Sequence, residues 1–490
     1  MNGVKTNNKT ITLFFTLVIS IGMFFVSNIL FYYGVGSYST IFFNIFVLFT
    51  FIIIFVIWNK IFSESIVEPI NLLIYVQFIF LGSNPLLKIL GIESNDYFVG
   101  YNLTNNDYNL TNVLISLGVI FFLLGAIIGK IKKNNIAEVA KKVFFKNIYL
   151  QWSGFLILIV GVCSLIIDFD IRWLISTYQN FGSMTIWRLL WTICLPSSGF
   201  LLMSVKSKKI IMIGFLVLLF LSGVYILMGN RGYSISILLV LLWLYDKSIK
   251  KITKMKFLVI SLIIVILVSI FFQMKTMTLI EKLNVLQYTK IMKESPIVSL
   301  LKESSVTYRT LIYTIKYIPN FKPYQLGASY FWALTTILPN IFGTPIHPAH
   351  YYYEGPSEWL RWNFSPAQAE LGQGFGFSMI GEAFFNFGIV GVAVVMFLLG
   401  YFISRLSKLS KYNESGFYNV TLAVILSNIF WGIRNQLSSI VRDIVLQIII
   451  IFIITIFVKL VFRSSPKKTK KEGSRLLIGN IQIHRYRLKK

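Results

Sequence analysis

The sequence predicts an all-α, polytopic integral membrane protein with about 12 transmembrane helices and a large extracytoplasmic loop between spans 9 and 10. Three observations predict it. Of the 490 residues 56% are hydrophobic and only 13% charged, too few charges to cover the surface of a water-soluble domain of this size. Apolar runs of about 20 residues, each long enough to cross a hydrocarbon core, recur along the chain. The basic residues cluster in every second connection between those runs, as the positive-inside rule requires.

Taken in order, the spans fall near 11–31, 38–58, 66–83, 111–129, 149–167, 186–203, 210–228, 233–245, 257–273, 376–403, 417–433 and 444–461. The first run is too long for a signal-peptide core and has no small-residue cleavage site after it, so it reads as a retained helix. The third is flanked by Pro69 and Pro85 and interrupted by polar residues. The chain divides into an N-terminal membrane bundle (1–273), the large loop (274–375), a C-terminal bundle (376–462) and a basic cytoplasmic tail (463–490). Clusters such as Lys130/Lys132/Lys133, Lys206/Lys208/Lys209 and Lys250/Lys251/Lys254/Lys256 place both termini on the cytoplasmic side of the membrane. The same topology explains the net charge of +27 without nucleic acid, and sets the tail against anionic lipid headgroups. Cys163 and Cys194 both sit in apolar runs, where packing is the expected role.

The large loop is rich in aromatic residues, which argues against disorder, and a loop of that length is usually functional. Within it, 330–346 is apolar but broken by Pro339, consistent with a re-entrant or interfacial segment. Arginine is distributed differently from lysine. The chain has 34 Lys and 12 Arg, yet Arg172, Arg188, Arg231, Arg309, Arg361, Arg434 and Arg442 all fall on the external side. Positive-inside disfavours them there, so another interaction should retain them. The planar guanidinium fork binds phosphate or carboxylate through two parallel hydrogen bonds. Such a set therefore suits an anionic headgroup or diphosphate at the outer face. The bland alternative is pairing with Asp168, Asp170, Asp443 or nearby glutamates.

Three motifs stand out. Gly229-Asn230-Arg231-Gly232 makes a tight external turn that holds Arg231 at the membrane interface, where a charge is expensive. It lacks the strand–helix context of a nucleotide-binding loop. In the stretch 374–391, Ser378, Glu382 and Asn386 recur every four residues and share one helical face. Glu382 there needs a partner or a wet cavity; a structural hydrogen bond to a neighbouring helix would serve equally. His347-Pro348-Ala349-His350, followed by Glu354, Glu358 and Arg361, has no recognised zinc spacing, so no metal is expected. A histidine acting as general base competes with simple solvated loop histidines.

The layout, the Asn230-Arg231-Gly232 turn that opens a span, and the pattern Ser378-x-x-x-Glu382-x-x-x-Asn386-Phe387-Gly388-x-x-Gly391 together resemble Wzy-type O-antigen and capsular polysaccharide repeat-unit polymerases. The resemblance implies a glycosyltransferase that joins undecaprenyl-diphosphate-linked oligosaccharide repeat units at the outer face of the cytoplasmic membrane. It implies both a lipid-linked donor and a lipid-linked acceptor, no cofactor, and a chain-length-regulating co-polymerase as partner. Candidate acid–base residues are Glu382, His347, His350 and Glu370. Candidate diphosphate ligands are Arg231, Arg309, Arg361, Arg434, Arg442 and Arg172. Trp359, Trp362 and Tyr351 to Tyr353 are candidates for stacking on sugars, or equally for anchoring at the membrane interface. An O-antigen ligase-like transferase, which differs in its acceptor, and a flippase or transporter for the same lipid-linked glycan are the competing readings.

Overall fold

The computed structural model describes residues 2–35, 39–93, 102–131, 145–170, 185–228, 230–273, 295–338, 354–370, 374–412 and 416–464, with 2–8, 231, 268, 270–273, 368 and 463–464 described by their backbone alone. Among these residues the chain is helical, without strands. The elements are α1 (Asn2–Tyr33), α2 (Thr40–Ile57, ending in a π-helical turn Trp58–Phe62), α3 (Pro69–Gln77), a π-helical segment Phe78–Gly82, and α4 (Ser83–Ile89). Then come α5 (Asn105–Ile131), α6 (Asn147–Asp168), α7 (Ile186–Met203), α8 (Lys208–Leu227), α9 (Arg231–Ser248) and α10 (Lys254–Gln273). The loop predicted at 274–375 contributes α11 (Pro296–Tyr317), α12 (Ala328–Thr335), α13 (Pro356–Phe364) and α14 (Pro366–Glu370). The chain closes with α15 (Met379–Tyr412), α16 (Phe417–Gly432) and α17 (Ser438–Ser464).

Among the described residues 9 helices are long and apolar enough to cross a membrane: α1, α2, the α3–α4 unit, α5, α6, α7, α8, α15 and α17. The predicted spans at 233–245, 257–273 and 417–433 are helical as well, as α9, α10 and α16.

Polar contacts sort the helix ends into two faces. On one, Lys130 at the end of α5 pairs with Glu68, which precedes α3. Lys408 of α15 donates to Lys130 O at 3.0 Å, and Lys411 pairs with Glu64. Lys247 at the end of α9 donates to Asn419 Oδ1 of α16 at 2.6 Å. On the other face, Val35 N, just past α1, donates to Asn106 Oδ1 at the start of α5 (2.8 Å). Arg188 of α7 pairs with Asp168 of α6 at 3.1 Å, and Tyr233 of α9 donates to Asp443 of α17 at 3.1 Å. Lysine dominates the first face, whereas the second also carries arginines, and α11 to α14 belong to it. Thus α11 starts against α10, where Ser269 Oγ donates to Pro296 O at 2.6 Å, and ends near the start of α5, where Lys316 lies 3.5 Å from Asp107.

The bundle is built around α5, which is buried along nearly its whole length. It meets α15 so closely that a Cβ on Gly400 would sit 2.0 Å from Phe122 O, and one on Gly125 1.9 Å from Phe397 O. In a membrane, where apolar side chains gain nothing by leaving lipid, such small-residue contact is what lets helices pack.

α15 is broken once, at Phe387 (φ −136°, ψ 15°) and Gly388 (φ 61°, ψ −146°). The second pair of angles is accessible essentially to glycine alone. A break leaves helical carbonyls without their own N–H donors, and inside a membrane protein these must be satisfied from elsewhere. Here the donors come from the segment before α12: Gln325 N reaches Phe385 O at 3.1 Å and Leu326 N reaches Asn386 O at 3.0 Å. Gly388 also abuts Tyr324, whose hydroxyl would be 3.1 Å from an added Cβ. Gly388→Ala should therefore destabilise the protein by about 1–3 kcal/mol. It should also accelerate hydrogen exchange at the Gln325 and Leu326 amides. Gly22→Ala, where an added Cβ meets nothing within 4 Å, should leave both measurements unchanged.

Candidate functional site

Where α15 begins, four segments converge. Ser378 is the N-cap of the helix: its Oγ accepts from Gly381 N at 2.7 Å. One turn on, Glu382 is 2% exposed. The helix N-terminus favours a carboxylate there, but burial still demands that both oxygens be bonded. Oε1 accepts from Ser329 Oγ of α12 at 2.7 Å. Oε2 accepts from the backbone N–H of Leu437, in the turn between α16 and α17, at 2.6 Å. Asn386, one further turn along, donates from Nδ2 to the same Ser329 Oγ at 2.7 Å and accepts at Oδ1 from Gly327 N at 3.0 Å. The face predicted from the four-residue spacing thus forms, with Ser378 serving as a cap while Glu382 and Asn386 grip α12.

The turn between α16 and α17 is tied to the same place by its backbone. Phe377 N donates to Arg434 O at 2.8 Å, a contact so close that a Cβ on Gly376 would lie 2.4 Å from that oxygen. Gln436 joins the turn to α13, accepting from Ser357 N at 2.9 Å and donating to Glu358 Oε2 at 3.1 Å. α12, α13, the start of α15 and this turn therefore form one unit.

The arginines distribute around that unit. Arg434 lies 3.8 Å from Glu303 of α11 and over the Phe80 ring at 5.9 Å. Its Nε is buried without a hydrogen-bond partner among the described residues. Arg361 of α13 sits over the exposed Trp362 ring at 5.6 Å, and its Nε is likewise buried and unpartnered among the described residues. Arg309 is almost wholly buried on α11. Beside it Tyr308 donates to Asn112 Oδ1 at 2.7 Å, and Asn112 in turn donates to Asn44 at 2.8 Å, a polar seam running from α11 through α5 to α2. Arg442 pairs with Asp443 at 3.2 Å, the acid that also receives the Tyr233 hydroxyl. The Arg231 turn reaches the same end of the bundle. Tyr233 packs on Trp431 at 5.2 Å between ring centroids, and an added Cβ on Gly232 would overlap that indole.

Other expected residues fall elsewhere. Glu370 is exposed at the end of α14. Trp359 packs inward against Phe364 and Phe385, a structural role, whereas Trp362 is open. Arg172, His347, His350 and Tyr351 to Tyr353 lie outside the described residues. Among the described residues no group of three His, Cys, Asp or Glu side chains gathers as a metal site. Sequence reasoning missed Ser329, Gln436 and Tyr330. Burial, reinforced by the charge of Glu382, pushes the Tyr330 hydroxyl well above the usual phenol range, and that hydroxyl has no partner among the described residues. The available signal was weak: Ser329 is a lone polar residue within an apolar stretch.

The family model for O-antigen polysaccharide polymerase Wzy matches residues 11–465, so the chain belongs to the O-antigen polymerase Wzy family. No curated protein and no solved structure matches the chain.

Removing the Glu382 side chain strands two donors, the Ser329 hydroxyl and the Leu437 N–H. Each stranded buried group costs about 1–3 kcal/mol. Glu382→Ala should lower the melting temperature and expose the 325–338 segment to limited proteolysis. Glu382→Gln, which can still accept from one of the two donors, should show a smaller change in both.

Proposed function

We propose that this Wzy-family chain polymerises undecaprenyl-diphosphate-linked repeat units at the outer face of the bacterial cytoplasmic membrane, with the arginine-bearing face outward. Besides the family match, the observation that carries the reading is the pair of buried guanidinium N–H groups, Arg361 Nε and Arg434 Nε, left without protein partners among the described residues. Buried donors are almost always bonded, and charge-assisted bonds to phosphate oxygens would satisfy these two.

In the proposed reaction a hydroxyl of the incoming unit attacks the anomeric carbon of the donor glycan. The bond from that carbon to the diphosphate oxygen breaks, undecaprenyl diphosphate leaves with the electron pair, and the hydroxyl proton passes to a general base. Arg361 and Arg434 hold the diphosphate and stabilise its charge as it leaves. Arg309, Arg231, Arg442 and Arg172 supply further positive potential. Glu382 acts as a positioning residue, because both its oxygens are engaged. The base falls to His347 or His350, with Glu370 as the exposed carboxylate alternative. A co-polymerase that sets chain length would complete the system.

The same reading takes α9, α10 and α16 as crossings, giving twelve with both termini on the lysine-rich, cytoplasmic face. The alternation of helix ends between the two faces supports it. In a background lacking Cys163 and Cys194, Asn102→Cys should be labelled by an impermeant maleimide in spheroplasts. Lys206→Cys should be labelled only after the membrane is opened. The reverse pattern would refute the orientation.

Purified protein in liposomes carrying lipid-linked repeat units should extend them and release undecaprenyl diphosphate. Arg434→Ala and Arg361→Ala should each slow elongation about 100-fold or more, the usual cost of removing one donor from a developing anion. Arg231→Ala should abolish polymer while the protein still inserts. The Lys variants should also be impaired, because an ammonium cannot reproduce the fork. Movement of substrate without elongation would sink the proposal in favour of a transporter.

A further inference from the structure

α8 and α9 pack on one another, but α10 stands off from both. It leans instead on α11, through the Ser269 to Pro296 hydrogen bond, and on α3, where the Phe257 and Tyr75 rings stack at 5.3 Å. The space left between α10 and the α8–α9 pair is a lateral groove of about 470 Å³, within the size range of small-molecule sites, about 300–1,000 Å³. Leu219 and Ile226 of α8, Leu238 of α9 and Ile264 and Leu267 of α10 line its apolar walls. The hydroxyl of Ser222, also in the lining, is taken up by Ser234 at 2.6 Å.

The groove has one charged end. Lys250, Lys251 and Lys256 line it at the lysine-rich face. Lys251 is paired with Asp246 at 2.9 Å. Lys250 and Lys256 are exposed and carry no ion pair among the described residues. From Lys256 to Leu267 along α10 the groove rises about 16 Å at 1.5 Å per residue, close to half of a hydrocarbon core about 30 Å thick. Its depth is therefore that of one leaflet, with the cations where that leaflet's headgroups lie.

We propose that this groove is a binding site for an anionic phospholipid drawn from the leaflet on the lysine-rich face. One acyl chain lies between α8, α9 and α10, and the phosphate is held by Lys250 and Lys256. Cationic pockets between membrane helices favour anionic headgroups because each nearby lysine adds attraction that zwitterionic lipids do not earn. A neutral lipid would fill the apolar walls equally well, so the lysines set the selectivity. The site is independent of the transfer reaction proposed above and lies toward the opposite face.

Native mass spectrometry of the full-length protein, exchanged into equimolar phosphatidylglycerol and phosphatidylcholine with identical chains, tests it. Phosphatidylglycerol should be retained in preference. Lys250→Gln with Lys256→Gln should weaken that retention about tenfold or more. Gly223→Leu, which fills the groove from a position where an added Cβ meets nothing within 4 Å, should reduce retention of both lipids. Lys206→Gln with Lys208→Gln, which removes equal charge from the same face away from the groove, should change nothing. Equal retention of the two lipids by the unaltered protein would overturn the proposal. So would an equal loss in the Lys206/Lys208 variant, or undiminished binding in Gly223→Leu. The lysine variants alter exposed side chains alone, so the lipid readout does not hinge on folding.

Discussion

Glu382 accepts one hydrogen bond from a hydroxyl 53 residues before it and one from a backbone amide 55 residues after it. A carboxylate buried near the start of a membrane helix is tolerable only when such donors are supplied, and the supply dictates where α12 and the α16–α17 turn must lie. The turn carries Arg434 three residues before the bonded amide, so the carboxylate fixes the position of a guanidinium it does not touch. The break at Gly388 adds a second constraint of the same kind. It frees carbonyls that the 325–326 segment satisfies, and that segment leads straight into α12. Both constraints follow from one rule, that polar groups away from water must find partners within the protein.

The two faces show how the same rule acts on side-chain charge. On the lysine-rich face, ammonium groups at helix ends meet Glu64, Glu68 and Asp246, bond to neutral oxygens as Lys247 and Lys408 do, or remain exposed. An ammonium is a compact point charge on a flexible stem and lacks the planar fork of a guanidinium. On the other face the described guanidinium groups, of Arg188, Arg309, Arg361, Arg434 and Arg442, are partly or wholly buried. Some find carboxylates: Arg188 with Asp168, Arg442 with Asp443. For these the bland alternative of ordinary pairing is what the structure displays. Arg361 and Arg434 retain buried Nε donors beyond what their described neighbours satisfy, which the paired Arg188 and Arg442 do not.

Most of the bundle was legible because its helices are apolar runs of the right length, a signal that survives without any knowledge of contacts. The large loop was less legible. α11 is rich in serine, threonine and tyrosine, so it does not read as a membrane span, and its amphipathic pattern does not show that it is buried along most of its second half. Ser378, Glu382 and Asn386 announced a shared face because four-residue spacing is a local property. What that face meets was invisible. Ser329 and Leu437 lie far away in the chain, and one partner is a backbone amide, which leaves no trace in residue identity. Trp359 and Trp362, only three positions apart, were equivalent in the sequence. The fold separates them, because α13 turns one toward Phe385 and the other outward.

A unit held this way has a particular energetic logic. Its carboxylate, its cap and its broken helix are each satisfied, while the donors it leaves over include two cationic ones, Arg361 Nε and Arg434 Nε. An unfilled buried donor costs about 1–3 kcal/mol, and a folded protein with a margin of about 5–15 kcal/mol can carry two of them. An anionic ligand that supplies the missing acceptors recovers that cost on binding. On the reading proposed here that recovery would strengthen as charge gathers on the departing diphosphate, so the same unsatisfied groups that weaken the empty protein would favour the transition state over the bound substrate.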